Sequence, residues 1–276
     1  MPSRREAGIT IEAPELNDLY VRALAGALVS LLAVFGARRT RTLSTSGAVA
    51  SALIGTVVVA AGWGWGVLLL SLFVSASALS KLGQRQKAER VAGIVEKGDE
   101  RDAAQVLANG GVFAAAALGH ILFPSPIWYS MAAGALAASA ADTWATEAGT
   151  LAREEPISIV TGRRVPAGTS GGITLVGSLA GIAGALFIAF GATLANWPVA
   201  FAAVALGGVA GALADSLLGG TLQARRWCDL CAKGTERRVH DCGAPTLPAG
   251  GLAGFDNDLV NAVCSGVGAL VALLLS

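Results

Sequence analysis

Five carboxylates, Asp142, Glu147, Asp215, Asp256 and Asp258, stand at the ends of long apolar stretches rather than in open polar segments. Acidic groups beside a membrane core are costly and face partners or water. Gathered at one depth they repel one another unless a cation bridges them, and hard oxygen ligands suit Mg²⁺ or Mn²⁺ held against phosphates. Asn261 accompanies the last pair, in Asp256-Asn-Asp-x2-Asn261. Asp142 and Glu147 are five residues apart, which on a helix is about 140° around the axis, whereas Asp142 and Thr146 share a face. The competing reading is helix capping, with Asp256 or Asn257 at a helix start. It suits Asp142, Glu147 and Asp215 poorly, because they fall at helix C-terminal ends, where the dipole disfavours anions.

The cations complement these groups. Arg101, Gln105 and Asn109 recur every four residues and form one polar stripe entering an apolar stretch. With Lys81 they are the phosphate-binding candidates, while Arg85, Lys87 and Arg90 read as anchors for lipid headgroups. Gly168-Thr-Ser-Gly-Gly172 is read as opening a helix, where free backbone N–H groups of Ser170, Gly171 and Gly172 can hold an anion. It is not a Walker A loop, since no Gly-Lys-Ser/Thr follows.

A second constellation is separate. Cys228-x-x-Cys231 precedes His240-x-Cys242 within one polar segment. In a reducing cytosol this spacing points to a metal rather than a disulfide, and four such ligands close a tetrahedral, structural Zn²⁺ site. A redox pair and unliganded thiols are the alternatives. Cys264, inside an apolar run, reads as a small apolar residue, and His120 reads as structural.

The elements that must position these groups are membrane helices. The chain has 276 residues, 54% hydrophobic and only 14% charged, with 36 glycines; soluble domains carry about a quarter charged residues. Spans of roughly 20 apolar residues fit at 19–36, 46–62, 63–79, 103–123, 127–146, 172–194, 199–219 and 255–275. The expected fold is therefore all-α, a polytopic transmembrane helix bundle of about eight spans. Seven is the alternative if the Gly62-Trp-Gly-Trp65 corner bends one element. Residues 1–18 form a polar N-terminal segment without the apolar core of a signal peptide. The transmembrane domain covers 19–276, with a Cys/His loop at 222–254. Apart from Arg4, Arg5 and Arg22, every Lys and Arg falls in four alternate loops. Basic loops remain cytoplasmic, which predicts a multi-pass cell-membrane protein with its catalytic face in the cytoplasm. Arg4 and Arg5 then lie outside, against the rule. Trp63, Trp65, Trp128 and Trp197 fall in the opposite connections and read as interfacial anchors. A net charge of +1 gives no sign of a nucleic-acid partner.

Taken together, Arg101-x3-Gln-x3-Asn109, Ala141-Asp-Thr-Trp-Ala-Thr-Glu147, Gly168-Thr-Ser-Gly-Gly172, Ala214-Asp-Ser216 and Asp256-Asn-Asp-x2-Asn261 resemble the integral-membrane family of transmembrane protein nineteen and the plant phytyl-phosphate kinase. The likeness runs from about Ser44 to the C-terminus, and the Cys/His loop resembles prokaryotic members. The resemblance implies phosphoryl transfer from a nucleoside triphosphate, CTP or ATP, to an isoprenyl monophosphate such as phytyl phosphate, giving the diphosphate. In that reading Asp142, Glu147, Asp215, Asp256 and Asp258, with Asn261, are the catalytic set, and Asp142, Asp215 and Asp258 hold magnesium. Lys81, Arg101, Gln105, Asn109, Ser170, Gly171 and Gly172 hold phosphates. A transporter and a non-catalytic scaffold with a zinc loop are the rival classes; polar residues at mid-span would favour the transporter, and the spans are nearly free of charge there.

Overall fold

The computed structural model describes residues 16–91, 94 and 100–276. The polar segment expected at 1–18 lies outside them up to residue 15. Its last three residues belong to the first helix.

The order is α1 (Leu16–Arg39), α2 (Thr45–Ala61), α3 (Trp63–Lys81), α4 (Gln84–Arg90), α5 (Ala103–Leu122), α6 (Ile127–Leu151), α7 (Leu175–Leu194), α8 (Phe201–Thr221) and α9 (Asn257–Leu274). Six of these, α1, α3, α5, α7, α8 and α9, are long and apolar enough to cross a membrane, and α2 is a shorter apolar helix. The remaining expected segment, α6, has 25 residues and carries Asp142 and Glu147. The chain is a helical integral-membrane bundle.

As the eight-span reading expects, α2 and α3 are two helices, because Gly62 adopts φ +155° and closes one while opening the other. The boundaries correct that reading in three places. α6 runs five residues past Thr146, so Glu147 is still helical. α7 starts at Leu175 under a Thr174 cap, and Gly172–Ile173 are instead β2, paired antiparallel with β1 (Ile157–Ser158). The Cys/His segment carries a three-stranded sheet, ordered β4-β3-β5, from β3 (Arg225–Cys228), β4 (Lys233–Thr235) and β5 (Leu247–Gly250).

α6 is the axis. Residues 132–141 are all buried, and apart from Leu136 each is Ala, Gly or Ser. Such small residues let backbones touch, which is how membrane helices associate when burial of apolar surface supplies no drive. A Cβ added at Gly134 would stand 2.3 Å from the Gly268 carbonyl oxygen of α9, and one at Gly211 of α8 would stand 2.4 Å from Ala138 Cβ. Hydroxyls reinforce the seam: Ser139 donates to the Asn109 carbonyl at 2.8 Å and meets Ser265 at 3.0 Å, tying α5, α6 and α9. At the other end of the bundle Trp65 and Trp197, read from sequence as interfacial anchors, are buried, 2% and 8% exposed, and stack in one aromatic cluster with Phe113, His120 and Tyr129. Trp63 is exposed and keeps the anchoring position.

The polar stretch after α3 folds back as α4. Lys87, read as a headgroup anchor, is buried; its Nζ reaches Glu147 Oε2 and the Leu79 carbonyl, both at 2.5 Å. Arg90, also read as an anchor, donates to the Ala152 carbonyl, so α4 is pinned across the end of α6. Lys81 is exposed. Lys87→Met would leave the Glu147 carboxylate uncompensated. We expect a loss of about 3 kcal/mol, the low end for a broken buried pair, since Glu147 retains some solvent contact. Thermal unfolding in detergent should show a Tm several degrees lower for Lys87→Met and an unchanged one for Lys81→Met; equal Tm values in the two variants would remove the pin.

Candidate functional site

At the end of the bundle where α6 and α8 terminate and α9 begins, a cavity of about 510 Å³ opens. The C-terminal turns of α6 bring Asp142 and Glu147 to it, those of α8 bring Asp215, and the start of α9 brings Asp256 and Asp258. The five carboxylates scattered over more than a hundred positions of sequence thus share one space. Gln105, Ser170 and Gly172 also line it.

The side chains are held in distinct ways. The Asp142 and Asp215 carboxyl groups stand beside each other, and one carboxylate oxygen of Asp215 is buried with no partner. Asp256 caps α9, accepting from the Leu259 N–H at 3.1 Å, so the capping role weighed for it is real and occupies one of its oxygens. Gln105 closes a capping box with Asp102: its N–H donates to Asp102 Oδ1 at 2.9 Å and its Oε1 accepts from the Asp102 N–H at 3.1 Å. Its amide NH₂ remains for a ligand.

The structure leaves several expected residues apart from the cavity. Lys81, Gly171 and Asn261 do not line it, and Arg101 and Asn109 face a second, apolar cavity. Gly171 is needed for another reason. At φ +78° it passes so close to α8 that a Cβ would stand 2.5 Å from Gly220 Cα. The Gly172 N–H, an expected phosphate donor, is bonded to the Thr169 carbonyl at 3.0 Å. The glycine segment is a turn before a strand, not a helix start with free amides.

Lys87, Gln223 and Glu236 are among the lining residues that the sequence reading did not assign to the site. Glu236 follows β4 in the Cys/His segment and accepts from Gln223 Nε2 at 2.8 Å and from the Ser170 hydroxyl. No spacing signal pointed to it, because the segment reads as an independent loop. Lys87 is the one cation among the described lining residues, and it is already paired with Glu147. Six carboxylates therefore face one ammonium. A polyphosphate entering alone would be repelled, and the cavity favours anions that bring cations with them.

The thiol cluster is compact. Ligand atoms of Cys228, Cys231, His240 and Cys242 all lie within 4.8 Å of one another, and they can hold one metal ion. Cys228 Sγ and Cys242 Sγ are 3.7 Å apart. A tetrahedral site with bonds of about 2.3 Å requires about 3.8 Å. His240 Nδ1 faces Cys242 Sγ at 3.4 Å. A hydrogen bond with the Ala244 backbone, helped by His240, holds the Cys242 thiol down at about 6, while its bond to Cys242 pushes Cys231 up to about 11. Cys242 therefore ionises more readily than Cys231, and ligation to a metal uses the thiolate. Among the described residues no other Cys, His, Asp and Glu set closes this tightly. The carboxylates line a wider space, which suits an ion that keeps waters and takes phosphate oxygens.

Known proteins bear on this arrangement. Residues 28–269 match the family model described as integral membrane protein DUF92. Protein PGR of Arabidopsis thaliana is 30% identical over 271 residues, covering 88% of this chain and 92% of that protein. An uncharacterized membrane protein of Methanocaldococcus jannaschii, MJ0933, is 31% identical over 210 residues, 73% of this chain and 84% of its own. Another from Synechocystis, sll0875, is 30% identical over 190 residues, 63% and 69% respectively. No solved structure matches. The resemblance read from the motif set agrees with these matches: the chain belongs to the integral membrane protein DUF92 family.

Proposed function

We propose that the protein is a membrane-embedded kinase of isoprenyl monophosphates, transferring the terminal phosphoryl group of a nucleoside triphosphate, CTP or ATP, to give the diphosphate. The observation that carries this reading is the cavity itself: carboxylates from α6, α8 and α9 around one space, with one cation, already paired, among the described lining residues. The motif resemblance gives the reaction. An oxygen of the lipid monophosphate attacks the γ-phosphorus, forming the new P–O–P link as the bond to the β,γ-bridging oxygen breaks and the nucleoside diphosphate departs. The attacking phosphate is already an anion, so no protein base is needed, and catalysis is positioning and charge stabilisation. Mg²⁺ or Mn²⁺, when bound, would neutralise charge on the transferring group. Asp142, Asp215 and Asp258 would hold it, and the unpartnered, buried oxygen of Asp215 fits that role. Lys87 and Gln105 would orient phosphate oxygens, and Asp256 and Glu147 chiefly hold the cavity's shape.

On this reading Asp→Asn at 142, 215 or 258 keeps volume while removing charge. Losing a metal contact worth about 2.7 kcal/mol cuts turnover roughly a hundredfold. Prenyl phosphate, Mg²⁺ and labelled nucleotide at matched expression provide the assay. Near-wild-type rates in all three variants would rule out the metal role, and a wild type inert on every prenyl phosphate would rule out the kinase.

We also propose that the Cys228/Cys231/His240/Cys242 ion is zinc with a structural role, since four protein ligands would fill a tetrahedral shell. Elemental analysis of chelator-free protein should find about one zinc per chain, and Cys228→Ser with Cys231→Ser should lose it while the helices stay folded. Protein free of zinc would contradict the assignment. The basic-loop asymmetry supports a cytoplasmic position for the cavity. An impermeant maleimide should therefore label Arg163→Cys, in a background without native cysteines, only after the membrane is opened; labelling of intact cells would reverse the orientation.

A further inference from the structure

Beside the polar cavity lies a second one of about 260 Å³, walled by α1, α2, α3 and α5 and lined mainly by apolar side chains. Its polar residues gather chiefly toward one end, at Arg101, Gln105, Asn109 and Thr143, and Trp63 stands at the other. Gln105 lines both cavities. On α6 the neighbouring residues divide: Asp142 faces the polar cavity and Thr143 the apolar one. The two spaces thus meet at Gln105.

We propose that this groove takes the hydrocarbon chain of the acceptor, a single-chain isoprenyl monophosphate, whose phosphate sits at Arg101 and Gln105 facing the polar cavity. The proposal rests on the kinase reading for its choice of lipid. Its own support is charge and length. Among the described residues the Arg101 guanidinium has no hydrogen-bond partner, although it is partly buried and desolvation pushes its pKa down. Only the field of Glu147 opposes that. A partly desolvated, unpaired guanidinium is costly, and a fork of N–H donors fits a phosphate. From Trp63 to Ala76, both on the groove wall, α3 rises about 20 Å. That exceeds the roughly 15 Å depth of one leaflet. A chain anchored at Arg101 would run past the midplane. Val67, 64% exposed, stands on the rim, so the groove is open sideways to the bilayer and a lipid can enter without leaving it.

The other claimant is an ordinary membrane phospholipid, and the test separates the two. The probe is geranylgeranyl monophosphate carrying a diazirine at the tail tip, photolysed with the full-length protein in phosphatidylcholine nanodiscs without nucleotide. Adducts should map to residues 59–67. Unlabelled geranylgeranyl monophosphate should compete, and neither phosphatidate nor geranylgeraniol should. Ala33→Phe, which fills the middle of the groove, should cut labelling tenfold or more, whereas Leu32→Phe on the exposed face of the same helix should not. Val67→Trp at the rim serves if Ala33→Phe does not fold. Where turnover is measurable, Ala33→Phe should lower the ratio of kcat/KM for C20 over C10 phosphates tenfold or more. Labelling scattered over other helices, labelling unaffected by both groove variants, or equal competition by phosphatidate would overturn the groove. The two readings fail separately: groove labelling without turnover would sink only the kinase, and turnover with label elsewhere would sink only the groove.

Discussion

The close approach of α6 to α8 and α9 governs the rest of the molecule. At Gly134 against Gly268, and at Gly211 against Ala138, the backbones leave no room for a further methyl group. In a bilayer lipid tails are as apolar as leucine, so helices adhere through packing and a few hydrogen bonds worth about 0.6 kcal/mol each. That same tight seam brings the ends of α6 and α8 beside the start of α9. Asp142, Asp215 and Asp258 then cannot avoid one another. Their mutual repulsion is a cost of the packing, and a cation or a paired ammonium must offset it. Lys87 does so for Glu147; for the Asp142–Asp215 pair no lining cation remains among the described residues.

The Cys/His sheet is joined to this cavity rather than hung from it. Glu236, next to β4, accepts hydrogen bonds from Ser170 on one side and Gln223 on the other. Its own N–H and the Thr235 hydroxyl both donate to the Ile94 carbonyl. A metal that fixes the Cys228–Cys242 hairpin would therefore also fix one wall of the polar space. This gives a physical reason for a cysteine cluster in a membrane protein whose chemistry is oxygen-based.

Much of this was legible in sequence, because hydropathy and charge are one-dimensional signals. Every apolar segment became a helix, and the carboxylates at the segment ends fell on one cavity because alternate ends of an up-and-down bundle share a side. What escaped depended on tertiary context. Lys87 looked like any surface lysine until α4 folded back over α6. Gly168–Gly172 carried the composition of an anion-binding turn, yet a turn bond to the Thr169 carbonyl engages the Gly172 N–H. Trp65 and Trp197 had the positions of interfacial anchors, and only the aromatic cluster showed them to be core. The stripe of Arg101, Gln105 and Asn109 was read correctly as one face, but the face turned out to divide a polar space from an apolar one.

The central claim is that helices packed this closely form a carboxylate site that admits phosphate only together with a divalent ion. Electron paramagnetic resonance of Mn²⁺ titrated into the purified protein, with and without nucleoside triphosphate, tests it most directly. The account predicts saturable Mn²⁺ binding that tightens when nucleotide is present and is lost in Asp142→Asn with Asp215→Asn, while the Cys/His metal stays in place. Nucleotide bound equally well without any divalent ion, or Mn²⁺ bound unchanged by the double variant, would contradict it.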